Sequence, residues 1–307
     1  MVNFFKVYKT YPFTIPLRVK FFNIFRSLFT IPALEGLLIS KLSNSRKGWE
    51  RLIPPLYFYP HGTVRKAERA GLWYELDVSR LIDHSIFFYK LNEPTWDVLF
   101  RYIKEDSYVI DVGANIGFLS MQFASRCSKG KVFSFEPDAQ NFENLKRNIE
   151  LNNFDNVSIY KNALGATAET VTLYKIFENN PGANRILFTK PDVPHQQERI
   201  DVLVLDKIAG DFNIPRVDVM KIDVEGFEIF VLQGATQMIS KWRPVLFVEL
   251  AEVNLRQHGF TAVALVEFIE QLWYDVRDAR TMQAVDKFKT DYHTDIICFP
   301  QSKTVHE

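Results

Sequence analysis

Asp223 and Glu225 stand one residue apart, directly after the apolar run Val219-Met220-Lys221-Ile222 and just before Gly226. A carboxylate at the end of a buried strand can accept a proton from a hydroxyl, or orient the group that does so. With a single residue between them, both side chains fall on one side if the chain is still extended. Asp223 is therefore the candidate that faces the reacting group, and Glu225 the one that orients acceptor or base. Either could instead cap a helix beginning near Phe227. Glu249 lies near the end of a second apolar run, Val245-Leu246-Phe247-Val248. A carboxylate there is seldom idle, so it either lines an acceptor pocket or is held in a structural ion pair. Asp223, Glu225 and Glu249 together are also an oxygen ligand set for a divalent cation. No metal-loop spacing accompanies them, and no metal is expected. Lys221 is a candidate partner for these acids or a surface lysine. His84, His258 and His293 are possible bases, although a lone histidine is more often structural.

A second group of residues reads as a ligand-binding loop. Val109-Ile110-Asp111-Val112-Gly113-Ala114-Asn115-Ile116-Gly117 takes a buried strand through a glycine-bearing turn into a helix. Glycine serves where the backbone turns tightly or approaches a ligand closely. Asn115 occupies the place of the second glycine in a dinucleotide fingerprint, and asparagine tolerates left-handed backbone. The full fingerprint is absent, so a pyrophosphate is not the favoured ligand, and nicotinamide-dependent oxidoreduction is disfavoured. S-adenosylmethionine has no pyrophosphate; it presents an amino acid end, a sulfonium and a ribose diol. The diol needs an acceptor at the end of the next strand, about 20 residues on. Glu136 stands there, after Val132-Phe133-Ser134-Phe135, and Pro137 stops the strand from continuing.

Asp111 to Gly117 is followed by Phe135-Glu136-Pro137, Leu145-Lys146-Arg147-Asn148, Asn162-Ala163-Leu164-Gly165, Val204-Leu205-Asp206 and Lys221-Ile222-Asp223-Val224-Glu225-Gly226. This series resembles the FkbM family of methyltransferases from about Glu93 to Val276, with Val204 where the family has Thr. The resemblance implies an α/β, Rossmann-like class I methyltransferase fold. That fold has a mostly parallel seven-stranded sheet with helices on both faces. It implies S-adenosyl-L-methionine as cofactor and O-methylation of a sugar, glycan or other small-molecule hydroxyl. By the same resemblance Asp111, Gly113, Ala114, Asn115 and Gly117 hold the methionine end, and Asp223 adjoins them. Glu136 with Pro137 serves the ribose, and Asn162 and Ala163 lie near the adenine. Nucleic-acid methylation and a non-catalytic, cofactor-binding partner protein are the alternatives. The first lacks an Asn-Pro-Pro-Tyr type motif, and the formal net charge of zero leaves no global footprint for nucleic acid.

The elements that must position these residues alternate. Apolar strands are expected at Tyr108–Val112, Lys131–Phe135, Val157–Tyr160, Val217–Ile222 and Val245–Leu250. Helices are expected from Asn92-Glu93-Pro94 to about Lys104, from Phe118 to Cys127 and from Gln140 to Leu151. Such alternation implies a largely parallel sheet. Glu169 to Asp206 is an insertion with strand-like Val171–Tyr174 and Val202–Leu205, and turn chemistry at Asn179–Gly182. The organisation reads as a basic amphipathic extension at 1–55, a small lead-in at 56–91 and the methyltransferase domain at 92–307. In the extension Leu17, Phe21, Ile24, Phe25 and Leu28 recur at helical spacing. That helix packs on its own domain or another subunit, or lies through residues 17–30 on an anionic membrane surface. A membrane span is not expected, since Asn23, Arg26, Pro32 and Glu35 interrupt the run. No signal peptide is legible. The expected location is cytoplasmic, peripheral at the membrane surface, and a homo-oligomer is open. Cys127 and Cys298 read as free thiols in a reducing compartment.

Overall fold

The computed structural model describes residues 16–44, 48–89, 93–176 and 180–301. The chain divides into two compact units, Met1–Leu91 and Asn92–Glu307.

In the first unit, helices Leu17–Leu28 and Pro32–Asn44 precede a hairpin, β1 (Val64–Arg69) and β2 (Leu72–Asp77), and a helix at Leu81–Tyr89. The spacing of Leu17, Phe21, Ile24, Phe25 and Leu28 does form a helix, but this apolar stripe faces outward. The packed side carries Asn23, which is buried and donates to the Tyr57 hydroxyl at 2.9 Å. Glu35 is buried too, accepting from Tyr59 at 2.9 Å and from Arg65 at 2.6 Å. It thus anchors the second helix instead of merely interrupting an apolar run. No single helix among the described residues is long and apolar enough to cross a membrane. Leu17–Leu28 and Pro32–Leu42 reach the length only as a pair, bent by 104°.

The second unit is built on a seven-stranded sheet. Its strands are β3 (Tyr108–Val112), β4 (Lys131–Phe135), β5 (Val157–Tyr160), β10 (Val219–Ile222), β11 (Val245–Ala251), β12 (Tyr274–Asp278) and β13 (His293–Pro300). Between β5 and β10 the chain forms a separate four-stranded sheet from β6 (Ala163–Leu164), β7 (Glu169–Lys175), β8 (Arg185–Ile186) and β9 (Gln196–Leu203). The large sheet runs β12-β13-β11-β10-β3-β4-β5. The pairs from β11 to β5 are parallel, and only β13 runs against its neighbours. The fold is the expected one.

Continuous apolar runs suit strands that are covered on both faces. Val109, Val132, Val219, Phe247 and Ile297 point to one side, against Leu99 and Phe123 of helices Pro94–Phe100 and Phe118–Arg126. Ile110, Phe133, Met220, Leu246 and Ile296 point to the other, against Leu232, Ile239 and Leu265 of helices Glu228–Gln233, Thr236–Trp242 and Ala262–Gln271. Both cysteines are free and buried, and burial pushes both thiols up, Cys127 to about 11.

Several boundaries differ from expectation. The helix from Pro94 ends at Phe100, short of Lys104, because its last bonds are of the tighter kind, Tyr102 N to Leu99 O and Ile103 N to Phe100 O. The strand expected from Val217 begins at Val219. In the insertion the second strand is Gln196–Leu203, and Leu205 already opens a short helix. Asn179 of the expected turn lies outside the described residues.

Candidate active site

The chain leaves β3 to build β4 and β5 on one side, then returns to add β10 and β11 on the other. An open sheet of this kind has a crevice at the carboxyl ends of the two strands flanking the switch. β3 and β10 are those strands, with Val112 level with Ile222. The loop Gly113–Gly117 and the turn Asp223–Gly226 therefore meet at the crevice.

Gly113 has φ +78°, and a Cβ there would sit 1.9 Å from the Asp223 backbone oxygen. Only glycine permits that approach. Gly117, at φ +85°, gives up its Cβ to Leu145, whose Cδ1 would lie 2.4 Å away. Asn148, one turn beyond Leu145, donates from Nδ2 to Ile116 O at 3.0 Å. The Leu145-x-x-Asn148 motif is thus a clamp on the loop. Asp206 of Val204-Leu205-Asp206 works in the same structural way, accepting from Gln237 N at 2.9 Å and Met238 N at 2.8 Å at the start of a helix.

Asp111 is fully buried beneath the loop. Its Oδ2 accepts from Ser120 at 2.6 Å, and Ser120 accepts from Ser134 at 3.0 Å. Lys221 Nζ is 3.4 Å from its Oδ1. Asp111 thus holds the loop from below. Lys221 is no surface lysine: it is buried, donates to Gly113 O at 2.8 Å and lies 3.4 Å from Asp223 Oδ2. Burial opposes its charge, but the carboxylates of Asp223 and Asp111 outweigh that and hold its pKa above the usual range. One cation therefore ties β3, the loop and the acidic turn together.

Asn115 has φ +52°, as its residue type allows. Its Oδ1 is closed to solvent and accepts no hydrogen bond. An orphaned acceptor of this kind fits a ligand's donor. Its backbone N–H donates to Glu136 Oε2 at 2.8 Å, while Glu136 Oε1 accepts from Asp138 N at 2.9 Å. A carboxylate has about four acceptor sites, so two positions on Glu136 are left for hydroxyl donors. Burial pushes the Glu136 carboxyl up to about 7. Pro137 is half-buried, and Asp138 caps the next helix by accepting from Asn141 N at 2.8 Å. Tyr160 of β5 accepts from Glu136 N, so Asn162 and the buried Ala163, just past β5, lie along the same rim. Ala114 is buried, and its N–H and that of Gly113 both donate to Phe135 O at 3.0 Å.

On the other side of the loop, Asp223 is exposed, and a carboxylate oxygen from each of Asp223, Glu225 and Glu249 lies within 4.8 Å of the others. The expected reason for pairing Asp223 with Glu225 does not hold. The chain is not extended there: Glu225 has φ +57° and Gly226 φ +107°. The turn itself brings the carboxylates round. Neither residue caps the helix from Glu228. Glu228 closes the turn, accepting from Val224 N at 3.2 Å and Gly226 N at 3.0 Å. Glu225 is held by Asn254 Nδ2 at 2.9 Å and Arg185 Nη2 at 3.3 Å. Burial, then the Asp223 charge, raises its carboxyl to about 7 against the pull of Arg185. Burial, followed by the charges of Asp223, Glu225, Glu228 and Asp295, pushes Glu249 well above the ordinary carboxylate range.

Arg185, Asn254, Asp295 and Thr95 belong to the site's surroundings without any local sequence signal. Thr95 donates to Asp295 Oδ2 at 2.7 Å, and Asp295 pairs across the sheet with Glu249. Neither His258 nor His293 joins the carboxylates. His84 is buried in the first unit against Pro54 O at 2.9 Å. His258 sits among the rings of Phe188, Phe227 and Phe230. His293 is exposed where β13 begins.

Comparison with known proteins gives the family. The model of the methyltransferase FkbM domain matches residues 111–276. Among curated proteins, Methyltransferase 1 of Beauveria bassiana is 30% identical over 148 residues, 42% of this chain and 59% of that protein. Hexuronic acid methyltransferase AglP of Haloferax volcanii is 28% identical over 148 residues, 46% of this chain and 55% of its own length. The chain thus spans little more than half of either relative. A crystal structure of methyltransferase FkbM from Methylobacillus flagellatus aligns with TM-score 0.45 and 18% identity, over 69% of this chain and 50% of that one. The family match takes in more than half of the chain and every candidate residue from Asp111 to Glu249, so this chain belongs to the FkbM methyltransferase domain family.

Proposed function

We propose that the protein is an S-adenosylmethionine-dependent O-methyltransferase whose acceptor is a hydroxyl of a sugar, glycan or other small molecule. The observation that carries this reading is the crevice between Glu136 and Asp223. It pairs the buried Glu136 carboxylate on one side of the Gly113 loop with the carboxylates of Asp223, Glu225 and Glu249, exposed at Asp223, on the other. The cofactor would supply a methyl group on a sulfonium, a good leaving group. Glu136 would receive the ribose hydroxyls. Asn115 Oδ1 would meet a donor at the methionine end, over a loop that Asp111 and Lys221 keep rigid. Much of the acceleration in such a displacement comes from holding acceptor and methyl in line. What remains is removal of the hydroxyl proton. Asp223 would receive the acceptor. Glu225, with its carboxyl near 7, and Glu249, clustered with Asp223, would orient it and take up the proton. The hexuronic acid acceptor named for AglP supports looking first at acidic sugars.

The test is incubation with S-adenosylmethionine and a panel of glycosides and uronic acids, followed by mass spectrometry of the products. A methyl ether formed by the wild type and lost in Asp223→Asn is expected. Methylation of nitrogen or of nucleic acid alone would refute the O-methyl reading.

A second proposal concerns the first unit. Leu17, Phe21, Phe22, Ile24, Phe25 and Leu28 are each about half exposed or more on one helix, with Arg18 exposed beside them. An outward apolar stripe beside cationic residues suits the surface of an anionic bilayer. Flotation with phosphatidylserine-containing vesicles should carry the wild type upward and leave a Phe21→Ser, Phe25→Ser variant behind. Equal flotation of both would reject membrane contact through this helix.

A further inference from the structure

The spacing of Asp223, Glu225 and Glu249 in the chain contains no metal-binding loop, but the fold assembles what the spacing does not. In the parallel pair β10–β11, Ile222 is level with Val248, so Asp223 comes level with Glu249. The left-handed turn at Glu225 brings the third carboxylate back to them. The three ligand oxygens lie within 4.8 Å of one another. Hard cations bind oxygen at about 2.0–2.6 Å, which places opposed ligand oxygens about 4–5 Å apart.

The surrounding charge is unbalanced. Asp223 has Lys221 at 3.4 Å and Glu225 has Arg185 at 3.3 Å. Glu249 has no ion-pair partner among the described residues. Its Oε2 is closed to solvent and accepts no hydrogen bond, with Asp223, Glu225, Glu228 and Asp295 all near enough to repel it. A carboxylate oxygen closed to solvent and without a partner is costly. Thr95 satisfies Asp295, and backbone N–H groups satisfy Glu228, but neither device reaches Glu249. A bound cation would supply the missing countercharge and satisfy the orphaned oxygen together.

We propose that Asp223, Glu225 and Glu249 bind a divalent cation of the magnesium or manganese class. The all-carboxylate donor set selects hard ions over zinc or copper. Three protein ligands leave coordination positions for water or for acceptor oxygens. On the methyl-transfer reading above, the ion would replace Glu225 and Glu249 as the means of removing the hydroxyl proton: it would lower the pKa of a coordinated acceptor hydroxyl, whose proton would pass to solvent.

Manganese alone, titrated into the full chain without cofactor or acceptor and followed by electron paramagnetic resonance of the free ion, tests this directly. The wild type should remove one equivalent of free Mn2+ from the spectrum, and Mg2+ should displace it. Glu249→Gln should weaken binding by about 10-fold or more, at least what loss of an outer-shell partner costs. Glu225→Gln should do the same, and thermal melts establish that each variant is folded. Glu105→Gln, an exposed acid paired with Lys129, should bind like the wild type. Mn2+ that stays free at millimolar concentration, or that binds equally to wild type, Glu249→Gln and Glu225→Gln, would overturn the site. Because neither cofactor nor acceptor is present, that failure would leave the methyl-transfer reading standing.

Discussion

Gly113→Ala is expected to lower folding stability by about 3 kcal/mol or more and to remove cofactor binding from whatever still folds. Two costs combine. The backbone at Gly113 is left-handed, at φ +78°, which an alanine adopts only with strain. The added Cβ would also meet the Asp223 backbone oxygen at 1.9 Å. That oxygen belongs to the main chain, and it cannot swing away as a side chain would. Relief requires β3 and β10 to separate where Asp223 N donates to Val112 O at 3.1 Å and Lys221 spans the two strands. Gly210→Ala is the contrast, since nothing lies within 4 Å of a Cβ there. Denaturant melts should show a large loss for the first variant and little change for the second. A Gly113→Ala protein as stable as the wild type would mean that the loop does not approach Asp223 as described.

Glu136→Ala carries the second large effect, which separates binding from stability. Each carboxylate oxygen accepts one backbone N–H, from Asn115 and from Asp138, so the variant strands two donors and loosens the loop. Ligand binding should weaken by about 10-fold or more. The stability difference between wild type and variant should depend on pH in a definite direction. Burial raises the Glu136 carboxyl from 4.5 to about 7 in the fold. Its contribution to stability is then full below about pH 4.5 and is lost as pH rises through about 7, by at most about 3 kcal/mol. The advantage of wild type over Glu136→Ala in melts of the ligand-free protein should therefore shrink between pH 5 and pH 8. An advantage that grows with pH would show that the carboxylate is stabilised in its charged form.

The sequence made some of this legible for identifiable reasons. Asp111 to Gly117, Glu136 and Asp223 lie at strand ends, where apolar runs stop at residues that turn the chain or carry charge. The central strands of the parallel sheet are buried on both faces and read as mostly apolar runs, broken at Asp111, Ser134 and Lys221. What stayed hidden depends on contacts distant in the chain. Arg185 reaches Glu225 across 40 positions, and Thr95 reaches Asp295 across 200. β12 is hard to read because Tyr274-Asp275-Val276-Arg277-Asp278 carries three charges against two apolar residues. The helix at Leu17–Leu28 shows a different limit. Its period was legible, but periodicity does not say which face packs, and here the face bearing Asn23 does.

The most direct measurement is a calorimetric titration of the full chain with S-adenosylmethionine, and separately with its demethylated product, using wild type and Glu136→Ala. Micromolar binding of both ligands to the wild type, weakened about 10-fold or more in the variant, is the predicted result. Absence of binding to the wild type, or equal affinity in the two proteins, would contradict the assignment of the Gly113 crevice as the cofactor site.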